Sequence, residues 1–116
     1  MPKKISYTQL TLKRLRKNGI KAAVIEKWNQ NVRRGDGGFG IRQDLFGWID
    51  IIALDPTRGI IGIQSTSAGA LSAHLSKMLN TKSEEIVLWS RCRGITEIWA
   101  WRKEKNLWVV DITLLP

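Results

Sequence analysis

The chain has 116 residues, 43% of them hydrophobic, which suits one domain with a buried core and excludes a disordered or fibrous protein. Its 19 lysines and arginines outnumber its 10 acids, so the net charge is +9 and the expected partners are polyanions. One cysteine and one histidine exclude an internal disulfide and a zinc site with several thiolate or imidazole ligands. No apolar run approaches the roughly 20 residues of a membrane helix, and the first residues lack the apolar stretch of a signal peptide. We therefore expect a cytoplasmic protein without membrane contact.

The first part of the chain predicts a helix, a strand and a long loop. Residues 7–17 predict a helix, because Leu12 and Leu15 can face a core and an Asn-Gly pair follows as a stop. Residues 20–28 predict a strand, since they are rich in β-branched residues and hold no turn former. Residues 29–43 predict a loop with four glycines and three arginines, a composition that can bind phosphate.

The second part predicts a β-hairpin, a helix and three more strands. The hairpin strands are residues 45–54 and 60–66, joined by a turn-forming sequence. A helix capped by Ser67 is predicted over residues 68–79, with one apolar face formed by Leu71, Leu75, Met78 and Leu79. The remaining strands are predicted at residues 85–92, 97–102 and 107–113. The order α-β-β-β-α-β-β-β indicates an α/β fold in one domain over residues 1–116, with a central mixed β-sheet flanked by helices.

A polar group lies at the centre of the predicted hairpin. Asp50 interrupts an apolar strand, where a carboxylate is costly to bury unless its charge is satisfied. Because side chains alternate along a strand, Gln64 and Thr66 share one face of the returning strand, and Asp50 can lie near that face. A carboxylate, a carbonyl oxygen and a hydroxyl are ligands for a hard cation such as Mg²⁺ or Mn²⁺. The alternative is a structural Asp50 that binds backbone amides.

The sequences GWIDIIA of residues 47–53 and IGIQST of residues 61–66, followed by an amphipathic helix, resemble the core of the PD-(D/E)XK nucleases. The likeness is to small Holliday junction resolvases and their phage-encoded relatives, and it covers roughly residues 8–92. The resemblance implies a restriction-endonuclease-like core and Mg²⁺-dependent or Mn²⁺-dependent hydrolysis of phosphodiester bonds in branched DNA. It also implies a homodimer, because symmetrical cleavage of a junction needs two active sites. If the chain is phage-encoded, the expected location is the host cytoplasm.

The resemblance assigns four site residues by their positions in the motif. Asp50 matches the invariant acid, Gln64 the D/E residue, Thr66 the lysine and Glu26 an acid from the preceding segment. The implied metal ligands are Glu26, Asp50 and Gln64, while Thr66 would orient the attacking water. Gln64 departs from the pattern because it lacks a negative charge, and Thr66 departs from it because it lacks an amine.

Other residues are candidates for supporting roles. Lys77, which shares a helix face with His74, is a candidate replacement for the motif lysine, and Asp44 is either a further ligand or a turn residue. Expected DNA phosphate contacts come from the first helix, the loop and the second helix: Lys13, Arg14, Lys17, Arg33, Arg34, Arg42 and Lys77. A non-catalytic nucleic-acid-binding domain with the nuclease fold is the alternative function.

Two tryptophans and the single cysteine are not assigned to the site. Trp99 and Trp101 share one face of a strand, and they either pack in the core, stack on unpaired bases or line a dimer interface. Cys92 is expected in the core or partly buried, since it has no catalytic partner.

Overall fold

The computed structural model describes the backbone of residues 6–25, 27–33, 39–43 and 45–115, and the side chains of residues 6–25 and 45–115. The helices are α1 (Tyr7–Lys17), α2 (Leu71–Thr81) and α3 (Ser83–Arg91). The strands are β1 (Lys21–Val24), β2 (Lys27–Arg33), β3 (Phe39–Gln43), β4 (Ile51–Asp55), β5 (Gly59–Ser67), β6 (Ile95–Glu104) and β7 (Leu107–Leu115).

Five strands form one mixed sheet in the order β1-β4-β5-β6-β7. Every neighbouring pair is antiparallel except β5 and β6, which are parallel and are connected through α2 and α3. Within the described residues, β2 and β3 pair with each other alone and form a separate two-stranded ribbon. The α/β class with a mixed sheet is therefore confirmed, and so is the central β4–β5 hairpin.

Helices cover both faces of the central part of the sheet. The face covered by α1, here the α1 face, holds a cluster of buried residues: Leu12, Leu15, Ile51, Ala53, Ile61, Ile63, Trp99 and Trp101. The opposite face, here the α2–α3 face, holds a second cluster: Trp48, Ile49, Met78, Ile86, Ile98 and Leu115. A strand inside the sheet therefore contributes alternate residues to two apolar clusters, and a polar side chain buried there is costly unless it has partners inside the protein.

The segment from residue 20 to residue 50 differs from its prediction. The predicted strand over 20–28 is two strands, because β1 ends at Val24 beside Ile51 and the chain continues into the ribbon. The prediction of a loop over 29–43 is wrong, because most of that segment is the paired strands β2 and β3. The predicted strand over 45–54 begins only at Ile51, since Phe46 and Gly47 have φ values of 56° and 83° and turn the chain.

The prediction of a strand over 85–92 is also wrong, because this segment is the helix α3. Two acids, Glu84 and Glu85, lie in its first turn, where a carboxylate interacts favourably with the helix dipole. Ile86 and Trp89 are three residues apart, so both can contact the cluster on the α2–α3 face. The predicted burial of Leu79 and Cys92 is wrong as well. Leu79 is 48% exposed at the end of α2, and Cys92 is exposed just after α3.

Candidate functional site

The main chain of Asp50 is held from both sides by neighbouring strands. Its carbonyl oxygen accepts a hydrogen bond from the Ile25 amide at 2.9 Å, and its own amide donates to the Ile63 carbonyl at 2.8 Å. The residue immediately precedes β4, and it is 3% exposed. The main chain at Asp50 is therefore held by backbone pairing with β5 and with the residue that follows β1.

The Asp50 carboxylate receives two hydrogen bonds from β5. Its Oδ2 atom accepts from the Gln64 Nε2 amide at 3.1 Å and from the Ser65 backbone amide at 2.8 Å. Donors of this kind compensate a buried carboxylate for the water that it has lost. The structure therefore brings Asp50 and Gln64 together, and the bond to a backbone amide also matches the structural role that the sequence left open for Asp50.

Thr66 lies two residues beyond Gln64 on the same face of β5. The residue between them, Ser65, points to the opposite face, where its hydroxyl reaches α1. Gln64 is 7% exposed and Thr66 is 4% exposed, so both are enclosed on the α2–α3 face. Thr66 pairs with Ala100 of the parallel strand β6, a small neighbour that adds no charge to this part of the site.

The side chains at this position carry oxygen atoms of the kind that ligate a hard cation. Asp50 supplies a carboxylate, Thr66 a hydroxyl and Gln64 a carboxamide oxygen, once the amide turns Oε1 instead of Nε2 toward Asp50. Among the described residues, no three His, Cys, Asp or Glu side chains group together as a metal site. Glu26 and Asp44, the other two predicted carboxylates, lie outside the described residues.

A hydrogen-bond network joins this site to α1 through the sheet. The Ser65 hydroxyl donates to the Thr11 hydroxyl at 2.9 Å, and the Trp101 indole Nε1 donates to the same Thr11 oxygen at 2.8 Å. Thr11 in turn donates to the Tyr7 carbonyl at 2.9 Å. Ser65 thus contacts Asp50 through its backbone and α1 through its side chain, which fixes the strand that carries Gln64 and Thr66.

The predicted phosphate contacts lie on three different elements. On α1, Lys13 and Lys17 are exposed and Arg14 is half-buried, while Lys77 is exposed on α2 near the half-buried His74. The positions of Arg33 and Arg42 are the last residue of β2 and the interior of β3, and Arg34 lies outside the described residues. The ribbon formed by β2 and β3 joins the sheet beside Asp50, because Ile25 bonds the Asp50 carbonyl just before β2 begins.

Trp108 and Lys103 form a surface feature that the sequence interpretation missed. They pair directly across the antiparallel strands β7 and β6, and the Lys103 Nζ atom lies 5.7 Å from the centre of the Trp108 ring. Trp99 and Trp101 do share one face, but both are buried in the core cluster of the α1 face, so neither is available to stack on a base. The sequence could have indicated this pair, because a hairpin that turns between residues 103 and 108 places Lys103 and Trp108 opposite each other.

Arg102 is a second charged residue on the same hairpin, on the face opposite Lys103. Its guanidinium donates to the carboxylates of Glu104 and Asp111, and these hydrogen bonds, with the negative charges behind them, raise the pKa of Arg102. Asp111 and Glu104 therefore already have a cationic partner. These two acids therefore do not form ion pairs with the cations of the α1 face.

Comparisons of the chain with known protein families, with curated proteins and with solved structures found no match. Within the part of the chain that the structure describes, no helix is long and apolar enough to cross a membrane.

Proposed function

We propose that this protein is a metal-dependent endonuclease of the PD-(D/E)XK type that cuts branched DNA, such as Holliday junctions. The observation that carries the proposal is the contact between Asp50 and Gln64, the two positions that the motif assigns to metal ligands. The order of elements around them supports it, because an antiparallel hairpin leads through helices into a parallel strand. A homodimer with two such sites belongs to the same proposal.

In this function, Asp50, Gln64 and Glu26 would hold Mg²⁺ or Mn²⁺. The bound ion supplies polarisation of the scissile phosphate and activation of a water molecule. Asp50 stays in place because its main chain is paired on both sides and Ser65 bonds its carboxylate. Gln64 contributes a neutral oxygen, and the Thr66 hydroxyl orients the attacking water. Apolar residues around the site limit the access of bulk water.

The excess of positive charge supports DNA as the partner. Lys13 and Lys17 project from α1, Lys77 projects from α2, and α1 contains no acidic residue. Contacts from such side chains to phosphates carry little sequence information, so recognition is by DNA shape. Binding is accordingly expected to weaken steeply as salt is added, because each neutralised phosphate releases counterions.

A non-catalytic DNA-binding domain is the second candidate, and one observation favours it. Gln64 donates its amide hydrogen to Asp50 and thereby occupies the carboxylate with a neutral donor. Thr66 stands where the motif has a lysine, so this position supplies no positive charge to a phosphate. Both differences from the motif, glutamine in place of an acid and threonine in place of a lysine, remove a charge that catalysis would use.

Cleavage assays with Asp50→Asn distinguish the two candidates. Wild-type protein is incubated with a four-way junction, a duplex and a single strand in the presence of Mg²⁺ or Mn²⁺. The nuclease proposal expects junction cleavage that Asp50→Asn reduces by at least about a hundredfold, the scale of losing one main stabilising group of a transition state. Asp55→Asn is the matched control, because Asp55 accepts hydrogen bonds from two turn amides and an asparagine oxygen can replace it.

The outcomes distinguish a nuclease, a binding domain and a folding defect. Cleavage that survives Asp50→Asn at the wild-type rate contradicts the proposed site. Tight binding of all substrates without any cleavage, in either metal, supports the binding domain instead. Equal losses in Asp50→Asn and Asp55→Asn would mean that the assay reports folding rather than the site.

A further inference from the structure

A groove runs on the α1 face between α1 and the β6–β7 hairpin. Its volume is about 200 Å³. Its lining combines three cations with aromatic and aliphatic side chains: Leu10, Lys13, Arg14, Lys17, Trp101 and Trp108. We call this feature the basic groove. It lies on the opposite face of the sheet from the Asp50 and Gln64 side chains, so it is separate from the site described above.

The aromatic floor of the basic groove is held in place by its neighbours. Trp101 is 2% exposed and its indole Nε1 is bonded to Thr11, so its ring cannot turn freely. The rings of Tyr7 and Trp108 pack in a T-shaped pair, with 6.1 Å between centroids and 82° between planes. Trp108 is only half-buried, so part of its indole remains accessible to a ligand.

Cations lie against both indoles. The Arg14 guanidinium is 5.4 Å from the centre of the Trp101 ring, and Lys103 Nζ is 5.7 Å from that of Trp108. Such pairs hold a positive charge near the aromatic surface without neutralising it. The two acids of the hairpin, Glu104 and Asp111, lie on the other face and are bonded to Arg102. Among the residues that the structure describes, none of those lining the basic groove is acidic, and three are cationic.

We propose that the basic groove binds a single-stranded segment of nucleic acid, with one base stacked on Trp108 and its phosphates against Lys13, Lys17 and Lys103. Lysine and arginine side chains beside an accessible indole are the combination that proteins use to bind unpaired strands. A duplex fits this feature less well, because its bases are already stacked on each other and cannot reach Trp108. The inference rests on the proposed function for the class of ligand, and it deepens that function by naming an unpaired strand as part of the substrate.

A binding assay without divalent metal tests the groove independently of cleavage. A fluorescently labelled oligothymidine is titrated with wild-type protein and with Trp108→Leu, and the anisotropy gives Kd. Because stacking on an aromatic ring contributes strongly to the binding of each base, Trp108→Leu is expected to raise Kd by about tenfold or more. Trp108→Phe, which keeps an aromatic face, is expected to bind within about threefold of wild type.

The charge requirement is tested with variants of equal net charge. Lys13→Gln combined with Lys17→Gln removes two positive charges from the basic groove. Lys21→Gln combined with Arg91→Gln removes two exposed charges from the start of β1 and the end of α3, and neither residue lines the groove. The first pair is expected to raise Kd several-fold more than the second. Equal losses would mean that net charge alone attracts the strand and would overturn the proposal.

A measurement on the unaltered chain covers the case in which Trp108→Leu fails to fold. An oligonucleotide that contains 5-bromouracil is irradiated with wild-type protein, and the cross-linked peptide is identified by mass spectrometry. Cross-linking at Trp108 supports the groove, and cross-linking confined to other tryptophans overturns it. Binding of vesicles rich in phosphatidylserine, with no binding of the oligonucleotide, also overturns it in favour of a membrane surface.

These results are separable from those on cleavage. Loss of strand binding in Trp108→Leu with no cleavage by wild type would leave the groove and reject the nuclease. Cleavage that depends on Asp50, with strand binding that is indifferent to Trp108, would reject the groove and leave the nuclease.

Discussion

Ser65 of β5 donates a hydrogen bond from its hydroxyl to the hydroxyl of Thr11 on α1, across 2.9 Å. The backbone amide of the same Ser65 donates to the Asp50 carboxylate on the other side. Thr11 is fully buried, and its oxygen also accepts the indole hydrogen of Trp101. One residue of the motif thus links the candidate site to the helix and the strand that form the basic groove.

Thr11→Val is expected to destabilise the fold although it keeps the shape of the side chain. Valine removes an acceptor, so the Trp101 indole nitrogen and the Ser65 hydroxyl lose a buried partner, and each such group costs about 1–3 kcal/mol. Urea unfolding measures the free energy of unfolding. Thr8→Val, the same change at a half-buried position of α1, is the control and is expected to change it by less than about 0.5 kcal/mol. Equal losses of unfolding free energy at both positions would show that the loss comes from the low helix propensity of valine and not from the broken hydrogen bonds.

Gly62→Ala is expected to disturb the packing below the candidate site. A Cβ atom at Gly62 would lie 2.9 Å from Ile49 Cδ1 and 3.0 Å from Trp48 Cη2, both in fully buried side chains. Overpacking of this kind costs about 1–3 kcal/mol. Gly69→Ala is the control, because a Cβ there meets nothing within 4 Å. Thermal unfolding of the two variants is expected to show a lower Tm for Gly62→Ala only; an unchanged Tm would mean that Trp48 moves aside at little cost.

Some parts of the fold were predictable from local sequence because local signals decide them. The helix over residues 7–17 matches α1 residue for residue, since Ser6 caps it through a bond to the Gln9 amide and Gly19 ends it with a positive φ. The turn between the hairpin strands is fixed by the Asp55 carboxylate, which accepts the Thr57 and Arg58 amides. In both cases, residues close in the chain supply the bonds that determine the backbone.

Other parts depend on contacts between distant residues, which local patterns do not reveal. The segment over 85–92 is rich in residues that favour strands, yet burial of Ile86 and Trp89 against the cluster on the α2–α3 face makes it a helix. The alternation of side chains along a strand was enough to predict that Asp50 and Gln64 lie near one face. It does not predict that the Gln64 amide donates a hydrogen bond to Asp50. The basic groove requires α1 to lie beside β7, a tertiary contact that only the fold provides.

Arg58→Met is expected to destabilise the fold by leaving a buried charge. Glu97 is 4% exposed; its carboxylate accepts from the Arg58 guanidinium at 2.6 Å and from the Trp99 indole at 3.1 Å. Removal of Arg58 leaves one donor for a buried carboxylate, at a cost of about 1–3 kcal/mol. Glu97→Gln in the Arg58→Met background is expected to restore part of that loss, because the neutral amide can still accept from Trp99. A double-mutant cycle by urea unfolding measures this coupling, and strict additivity would mean that the ion pair adds nothing.

Gln64→Glu is expected to create a site that needs a cation. The change replaces the amide that donates to Asp50 with a second carboxylate about 3 Å away, so in EDTA the free energy of unfolding is expected to fall by about 1–3 kcal/mol. Mn²⁺ binds between paired carboxylates and stabilises the folded state by mass action, so Tm is expected to rise with Mn²⁺ far more than in wild type. Gln9→Glu on the exposed surface of α1 is the control for added charge. Adding Asp50→Asn to Gln64→Glu is expected to abolish the Mn²⁺ effect, because one of the two carboxylates is gone. If Gln64→Glu gains no stability from Mn²⁺, the Asp50 and Gln64 side chains do not face a common cation position, and the binding domain becomes the better account of this protein.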